Sequence, residues 1–274
     1  FTHDGTTLAT GGQDNVVKFW DVIEGKEYFK FDRNNSSFRG IQTFSFSPDD
    51  NFIALGLGDN TVRLWDSVKG QEVLRLANFQ SPVSAVTFSP NGQFVAARGE
   101  GHVLKLWGAQ AGKEIYELSG HQGPVLSIAY SPDGGHVASG SADTSVAIWD
   151  VKSHQLVKEI DGLDKAVSSI AYRPPEGAMI ATAAGKDLVL WDAESLKMIK
   201  SLTGHSSDIT SIDFSLDGSL VASGSLDKTV RIWNLVDEEV EPLVMNKHSF
   251  AVMSVSFSHK GDLFCLLYTS EAAD

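Results

Sequence analysis

A chain of 274 residues that is 42% hydrophobic and 21% charged can bury a sizeable core, which excludes the disordered class. Its net charge of −13, from 22 basic and 35 acidic residues, opposes the sign a phosphate-backbone binder needs, so no direct nucleic-acid partner is expected. The single cysteine, Cys265, rules out a disulfide framework and a zinc site on paired cysteines, and no apolar run reaches the ~18 residues of a membrane span.

Phe1-Thr2-His3-Asp4-Gly5 reads as the end of a strand and a turn, with no basic, apolar leader visible. A small-residue run, LATGGQDN, and a short β-type run, VVKFW, follow and close on Trp20. The same order then recurs. The runs TVRLW, VLKLW, SVAIW, DLVLW and TVRIW end on Trp65, Trp107, Trp149, Trp191 and Trp233, so the tryptophans stand 45, 42, 42, 42 and 42 residues apart. Before each small-residue run comes an alternating run that ends in an aromatic and a turn, such as VTFSPNGQ and IAYSPDGG. After each Trp come a turn and another alternating run, such as KEIYELS. Four short strands per period are predicted, over residues 1–32, 33–77, 78–119, 120–161, 162–203, 204–246 and 247–264. No helical periodicity persists. A lone four-stranded unit cannot bury both faces, whereas copies stacked in a ring can.

Gly120-His121, Ser131-Pro132-Asp133-Gly134, Ser139-Gly140-Ser141-Ala142-Asp143 and Trp149-Asp150 form one set. Gly204-His205, Asp217-Gly218, Ser223-Gly224-Ser225-Leu226-Asp227 and Trp233-Asn234 repeat it. In these motifs the chain resembles the WD40-repeat family over residues 1 to about 264. The resemblance implies an all-β propeller of four-stranded antiparallel blades: five complete blades, with partial blades at both ends of a fragment whose parent has seven or more. Cys265–Asp274 is expected to be a non-native tail, because Cys265-Leu266-Leu267-Tyr268-Thr269-Ser270 is what a sequencing adapter encodes in one reading frame.

His, Ser and Asp in register invite a hydrolase reading. The constellation occurs twice at the repeat period, beside a Trp each time, which argues for architecture. The resemblance implies two structural tetrads: His121, Ser139, Asp143 and Trp149, and His205, Ser223, Asp227 and Trp233. Partial sets are Thr10, Asp14 and Trp20; Asp59 and Trp65; Thr182 and Trp191; and His248. The third repeat has Phe79, Ala97 and Gly101 at the three polar positions, and the fifth has Leu163 for His and a loop one residue shorter.

His before the first strand and Asp between the second and third must meet, so their loops share one rim. The second repeat carries three extra residues in its loop. Arg33, Phe38, Arg39, Phe79 and Arg98 are the candidate partner-binding residues there. The function expected is a non-catalytic scaffold for proteins or peptides, cytoplasmic or nuclear. It needs no cofactor or metal and takes no small-molecule substrate. The alternative is a reader of a short or modified peptide at the central channel mouth. A hydrolase ranks third.

Overall fold

The computed structural model describes residues 1–11, 14, 16–32, 40–77, 79–99, 101–109, 114–237, 239–258 and 264–268, the backbone only for 31, 32, 114, 115 and 264–268. The first sheet holds β1 (Thr7–Gly11), β2 (Val16–Asp21) and β3 (Lys26–Asp32). The second blade holds β4 (Ile41–Phe46), β5 (Phe52–Leu57), β6 (Val62–Asp66) and β7 (Gln71–Leu76). The third holds β8 (Ala85–Phe88), β9 (Phe94–Arg98), β10 (Val103–Gly108) and β11 (Glu114–Ser119). The fourth holds β12 (Val125–Tyr130), β13 (His136–Ser141), β14 (Val146–Asp150) and β15 (Leu156–Ile160). The fifth holds β16 (Val167–Tyr172), β17 (Met179–Ala184), β18 (Asp187–Asp192) and β19 (Met198–Leu202). The sixth holds β20 (Ile209–Phe214), β21 (Leu220–Ser225), β22 (Val230–Asn234) and β23 (Leu243–Met245). The last sheet pairs β24 (Val252–Phe257) with β25 (Phe264–Tyr268).

Every sheet is an antiparallel meander, and the first strand of each complete blade touches the first strand of the next. This is the all-β propeller, with five four-stranded blades between a three-stranded and a two-stranded sheet. Residues 264–268 take the place of a second strand, with Val255 opposite Leu266 and Phe257 opposite Phe264.

The core lies between blades. Ala9, Val17 and Phe19 of the first sheet pack on Ile41, Ile53, Leu55 and Trp65 of the second. Leu104, Leu106 and Leu118 of the third pack on Val137, Ala147 and Trp149 of the fourth. Alternation along each strand thus serves two neighbours, because both faces of a blade are covered. A β-bulge stands just before each Trp from Trp20 to Trp191, where the third strand meets the fourth. The extra residue lies on the fourth strand, as Tyr28 and Val157 do, and bends that strand.

A glycine in each complete second strand but two faces the next blade's first residues. A Cβ on Gly140 would stand 2.5 Å from Val167 Cγ1 and 2.9 Å from Val167 Cβ. Gly56 meets Val83, and Gly224 meets Val252, in the same way. Gly140→Ala is therefore expected to lower stability by about 1–3 kcal/mol through overpacking. A urea midpoint unchanged from wild type would show that the blades can part there at no cost.

Candidate functional site

The two complete tetrads have nearly the same geometry. Trp149 Nε1–H donates to Ser139 Oγ at 2.8 Å, Ser139 Oγ lies 2.8 Å from His121 Nε2, and His121 Nδ1 lies 3.1 Å from Asp143 Oδ2. In the sixth blade the corresponding distances are 3.0, 2.8 and 2.8 Å through Trp233, Ser223, His205 and Asp227. A carboxylate only accepts, so Nδ1 carries the imidazole proton and Nε2 accepts from the serine hydroxyl. The chain of donors runs from indole to carboxylate with each member satisfied.

The aspartates also hold the rim backbone. Asp143 Oδ2 accepts from the N–H of Gln122 at 2.7 Å, and its Oδ1 accepts from Ser145 Oγ at 2.6 Å. Asp227 Oδ2 accepts from Ser206 N–H at 3.0 Å. Burial alone would raise the Asp227 carboxyl, but the Thr229 hydroxyl, the Ser206 N–H and His205 outweigh it and bring it down to about 2. The balance at Asp143 is the same, and it lies below the ordinary carboxylate range. Burial pushes His205 down despite its Asp227 partner, which favours the neutral ring.

This arrangement suits architecture better than nucleophilic attack. Ser139 and Ser223 are fully buried, and each hydroxyl oxygen already accepts an indole N–H. A nucleophile needs an open approach and an oxyanion site within reach.

The worn repeats solve the same problem differently. Thr10 and Thr182 accept from Trp20 and Trp191 at 2.9 and 2.8 Å. Asp14 Oδ1 accepts from Val16 N–H at 3.2 Å. In the third blade the Phe79 ring lies 5.1 Å from Trp107, an apolar replacement for the imidazole. In the fifth, Leu163 joins the core cluster of Ile148 and Val167. In the second, with Leu55 for the hydroxyl, the Arg63 guanidinium meets Asp59 at 2.6 Å and Glu72 at 3.2 Å. Sequence reasoning missed Arg63. The available signal was a basic residue two before Trp in Lys18, Arg63, Lys105 and Arg231. On a strand that spacing shares the face of the Trp.

Repeat period, meander blades and tetrad geometry point one way, and the family described as WDHD1 first WD40 domain matches residues 1–272. The chain belongs to that WD40 family. A search of curated proteins found no match.

Within this WD40 propeller the other expected partner residues divide. Arg33, Phe38 and Arg39 lie outside the described residues. Phe79 is half-buried on Trp107, and Arg98 Nη2 donates to the Leu126 carbonyl of the next blade at 2.8 Å. Both are engaged inside the ring. His248 stands half-buried between β23 and β24, and the position matching the tetrad carboxylate, Ser270, falls outside the described residues. Among the described residues no group of three or more His, Cys, Asp or Glu could hold a metal ion, and no helix is long and apolar enough to cross a membrane.

Inner strands of neighbouring WD40 blades are stitched side chain to backbone. Ser45, Ser127, Ser169 and Ser211 accept from the N–H groups of Phe88, Ile170, Ile212 and Val255 at 3.0–3.3 Å. Asp213 plays this part for Phe257 N–H at 2.8 Å. Burial pushes its carboxyl up to about 6, despite the N–H donors of Phe257 and Phe214 and the Ser256 hydroxyl. Above that pH the folded state carries a buried charge. As pH falls through about 6 the folded carboxyl takes a proton, while the unfolded one does so only near 3.8, so the burden is gone below that value. Asp213→Asn is expected to stabilise by on the order of 2–3 kcal/mol at pH 7.5 and to change little at pH 3.5. Equal effects at the two pH values in urea unfolding would contradict this titration.

Proposed function

We infer that the propeller is a non-catalytic platform on which proteins or peptides assemble, using the rim that carries the tetrad loops. The observation behind this reading is that the rim backbone is held from beneath. Asp143 and Asp227 fix the loops at Gln122 and Ser206 through their N–H groups. The side chains of Gln122, Ser206 and Lys228 stay exposed above them. Preorganised loops on a rigid scaffold lose little entropy on binding. WD40 propellers generally bind proteins or peptides, which supports the same reading. Arg33, Phe38 and Arg39 are proposed as partner contacts in this reading, whereas Phe79 and Arg98 are engaged inside the ring.

The test is capture of partners from cell extract on two immobilised variants. Gln122→Arg/Ser206→Arg/Lys228→Glu alters the tetrad rim, and Lys152→Glu/Glu176→Lys alters the opposite face. Exposed substitutions of this kind leave stability within about 0.5 kcal/mol. The rim variant is expected to lose partners that the other retains. Full retention by the rim variant, with losses confined to the opposite face, would sink the reading.

A further inference from the structure

In most blades a long cation lies beside the tryptophan, two positions before it on the same strand. Lys18 Nζ stands 5.6 Å from the Trp20 ring and pairs with Glu27 across the sheet at 3.2 Å. Arg63 pairs with Glu72 at 3.2 Å. Lys105 Nζ lies 5.8 Å from Phe79, the ring that covers Trp107, and pairs with Glu117 at 2.5 Å. Arg231 Cζ lies 5.8 Å from the Trp233 ring. In the fourth blade Ala147 replaces the cation, but the complete tetrad covers Trp149.

The fifth blade has neither cover. Val189 stands where the cation would be, Ser201 where the third blade has Glu117, Met198 where the first and second blades have Glu27 and Glu72, and Leu163 replaces the imidazole. The loop Ala184-Gly185-Lys186 is also one residue short. What remains is a cavity of about 610 Å³, lined by Trp191, Val189, Ser201, Leu163 and Met198. A second comparison agrees. A Cβ on Gly120 would meet the Trp149 ring at 3.1 Å, and one on Gly204 would meet Arg231 at 2.7 Å and Trp233 at 3.4 Å. At Gly162, the same place in the fifth blade, nothing lies within 4 Å. Trp191 is part-exposed, as is Trp20 in the incomplete first sheet, whereas Trp65, Trp107, Trp149 and Trp233 are buried.

We propose that this cavity binds an arginine side chain of a partner peptide, which takes over the Trp191 indole the place that Arg231 and Lys18 occupy in their own blades. The chemistry is supplied by the molecule itself: each cation seen beside an indole is an internal copy of the ligand. An indole face attracts a cation, and the guanidinium, flat and weakly hydrated, stacks on it best. The mouth carries Asp164, Asp187 and Asp208 against Lys165 and Lys186, so carboxylates outnumber ammonium groups, and a planar fork can engage more than one of them. The proposal rests on the platform reading, since it gives one rim position a specific guest.

The experiment labels the protein with 5-fluorotryptophan and titrates acetyl-Gly-Arg-Gly-amide by 19F NMR. The Trp191 signal is assigned by its loss in Trp191→Phe. The arginine tripeptide is expected to move the Trp191 signal with saturation, and the citrulline and lysine tripeptides to bind at least tenfold and threefold more weakly. Val189→Arg/Ser201→Glu, which installs a cation–glutamate pair at the positions of Lys105 and Glu117 in the third blade, is expected to abolish the shift. If that variant does not fold, Asp187→Asn/Asp208→Asn is expected to weaken binding at least fivefold. An unmoved Trp191 signal, equal binding of citrulline or lysine, or a shift that survives the filled or amide variants would overturn the proposal. The titration uses no cellular partner, so its failure is distinct from a failure of the rim-capture test.

Discussion

Replacing Asp143 with alanine is expected to destabilise the protein by about 3–5 kcal/mol, the range for removing one partner of a buried ionic network. Five donors converge on that carboxylate: His121 Nδ1 at 3.1 Å, the N–H groups of Gln122 and Gly123 at 2.7 and 3.3 Å, and the N–H and hydroxyl of Ser145 at 3.0 and 2.6 Å. Its loss leaves the buried imidazole only the Ser145 hydroxyl, 2.9 Å from Nδ1, as acceptor, and frees the loop that the N–H groups anchor. The third blade supplies the control, because it holds Phe79, Ala97 and Gly101 at the same positions. His121→Phe/Ser139→Ala/Asp143→Gly is expected to cost less than the sum of its single changes, since no member is left half-satisfied. Chemical denaturation of the singles and the triple measures the coupling. Strict additivity would mean that the tetrad members act independently.

Arg63→Ala is expected to cost a comparable amount, about 3–5 kcal/mol. The Arg63 side chain is 7% exposed and the Asp59 side chain 11%, and the guanidinium on β6 links Asp59 in the β5–β6 turn to Glu72 on β7. Removing it leaves the nearly buried Asp59 carboxylate without its cation and Glu72, 25% exposed, without its partner. Arg63→Met/Asp59→Asn keeps the volume and removes the charges, so it is expected to recover most of the loss. Arg231→Ala is the comparison. Arg231 stands opposite Val244 and packs on Trp233, so it should lose about 1 kcal/mol or less, mainly ring contact. Similar urea midpoints for the Arg63 and Arg231 variants would refute the buried-network account.

Fold and tetrads were readable from the sequence to unequal depth. The tryptophan period marked each third strand, and the small-residue runs marked each second strand, because a strand's alternation and its turn residues are local signals. The resemblance to WD40 repeats likewise implied the hydrogen-bond partners of Trp149 and Trp233, which the structure bears out. Phe79 and Arg98 show where this stops. Both read as a rim aromatic and a rim cation, yet one lies on Trp107 and the other reaches a carbonyl of the next blade. Nothing in a residue's type says whether it faces solvent or the neighbouring sheet.

By itself, then, the sequence determined the strand order and the blade repeat, and its resemblance to WD40 repeats implied the tetrad members. Each of these follows from chemistry within one period. Only the tertiary structure decided the bulge at the indoles from Trp20 to Trp191, the serine stitches between inner strands and the Arg63 pairing with Asp59 and Glu72. It alone opened the cavity beside Trp191. These features arise where strands and blades meet, and the stitches join residues more than forty positions apart. What fills such a junction depends on the joint volume and charge of several side chains, so a single truncation is silent in the sequence. Three together, at Leu163, Val189 and Ser201, leave a space that only the folded ring reveals.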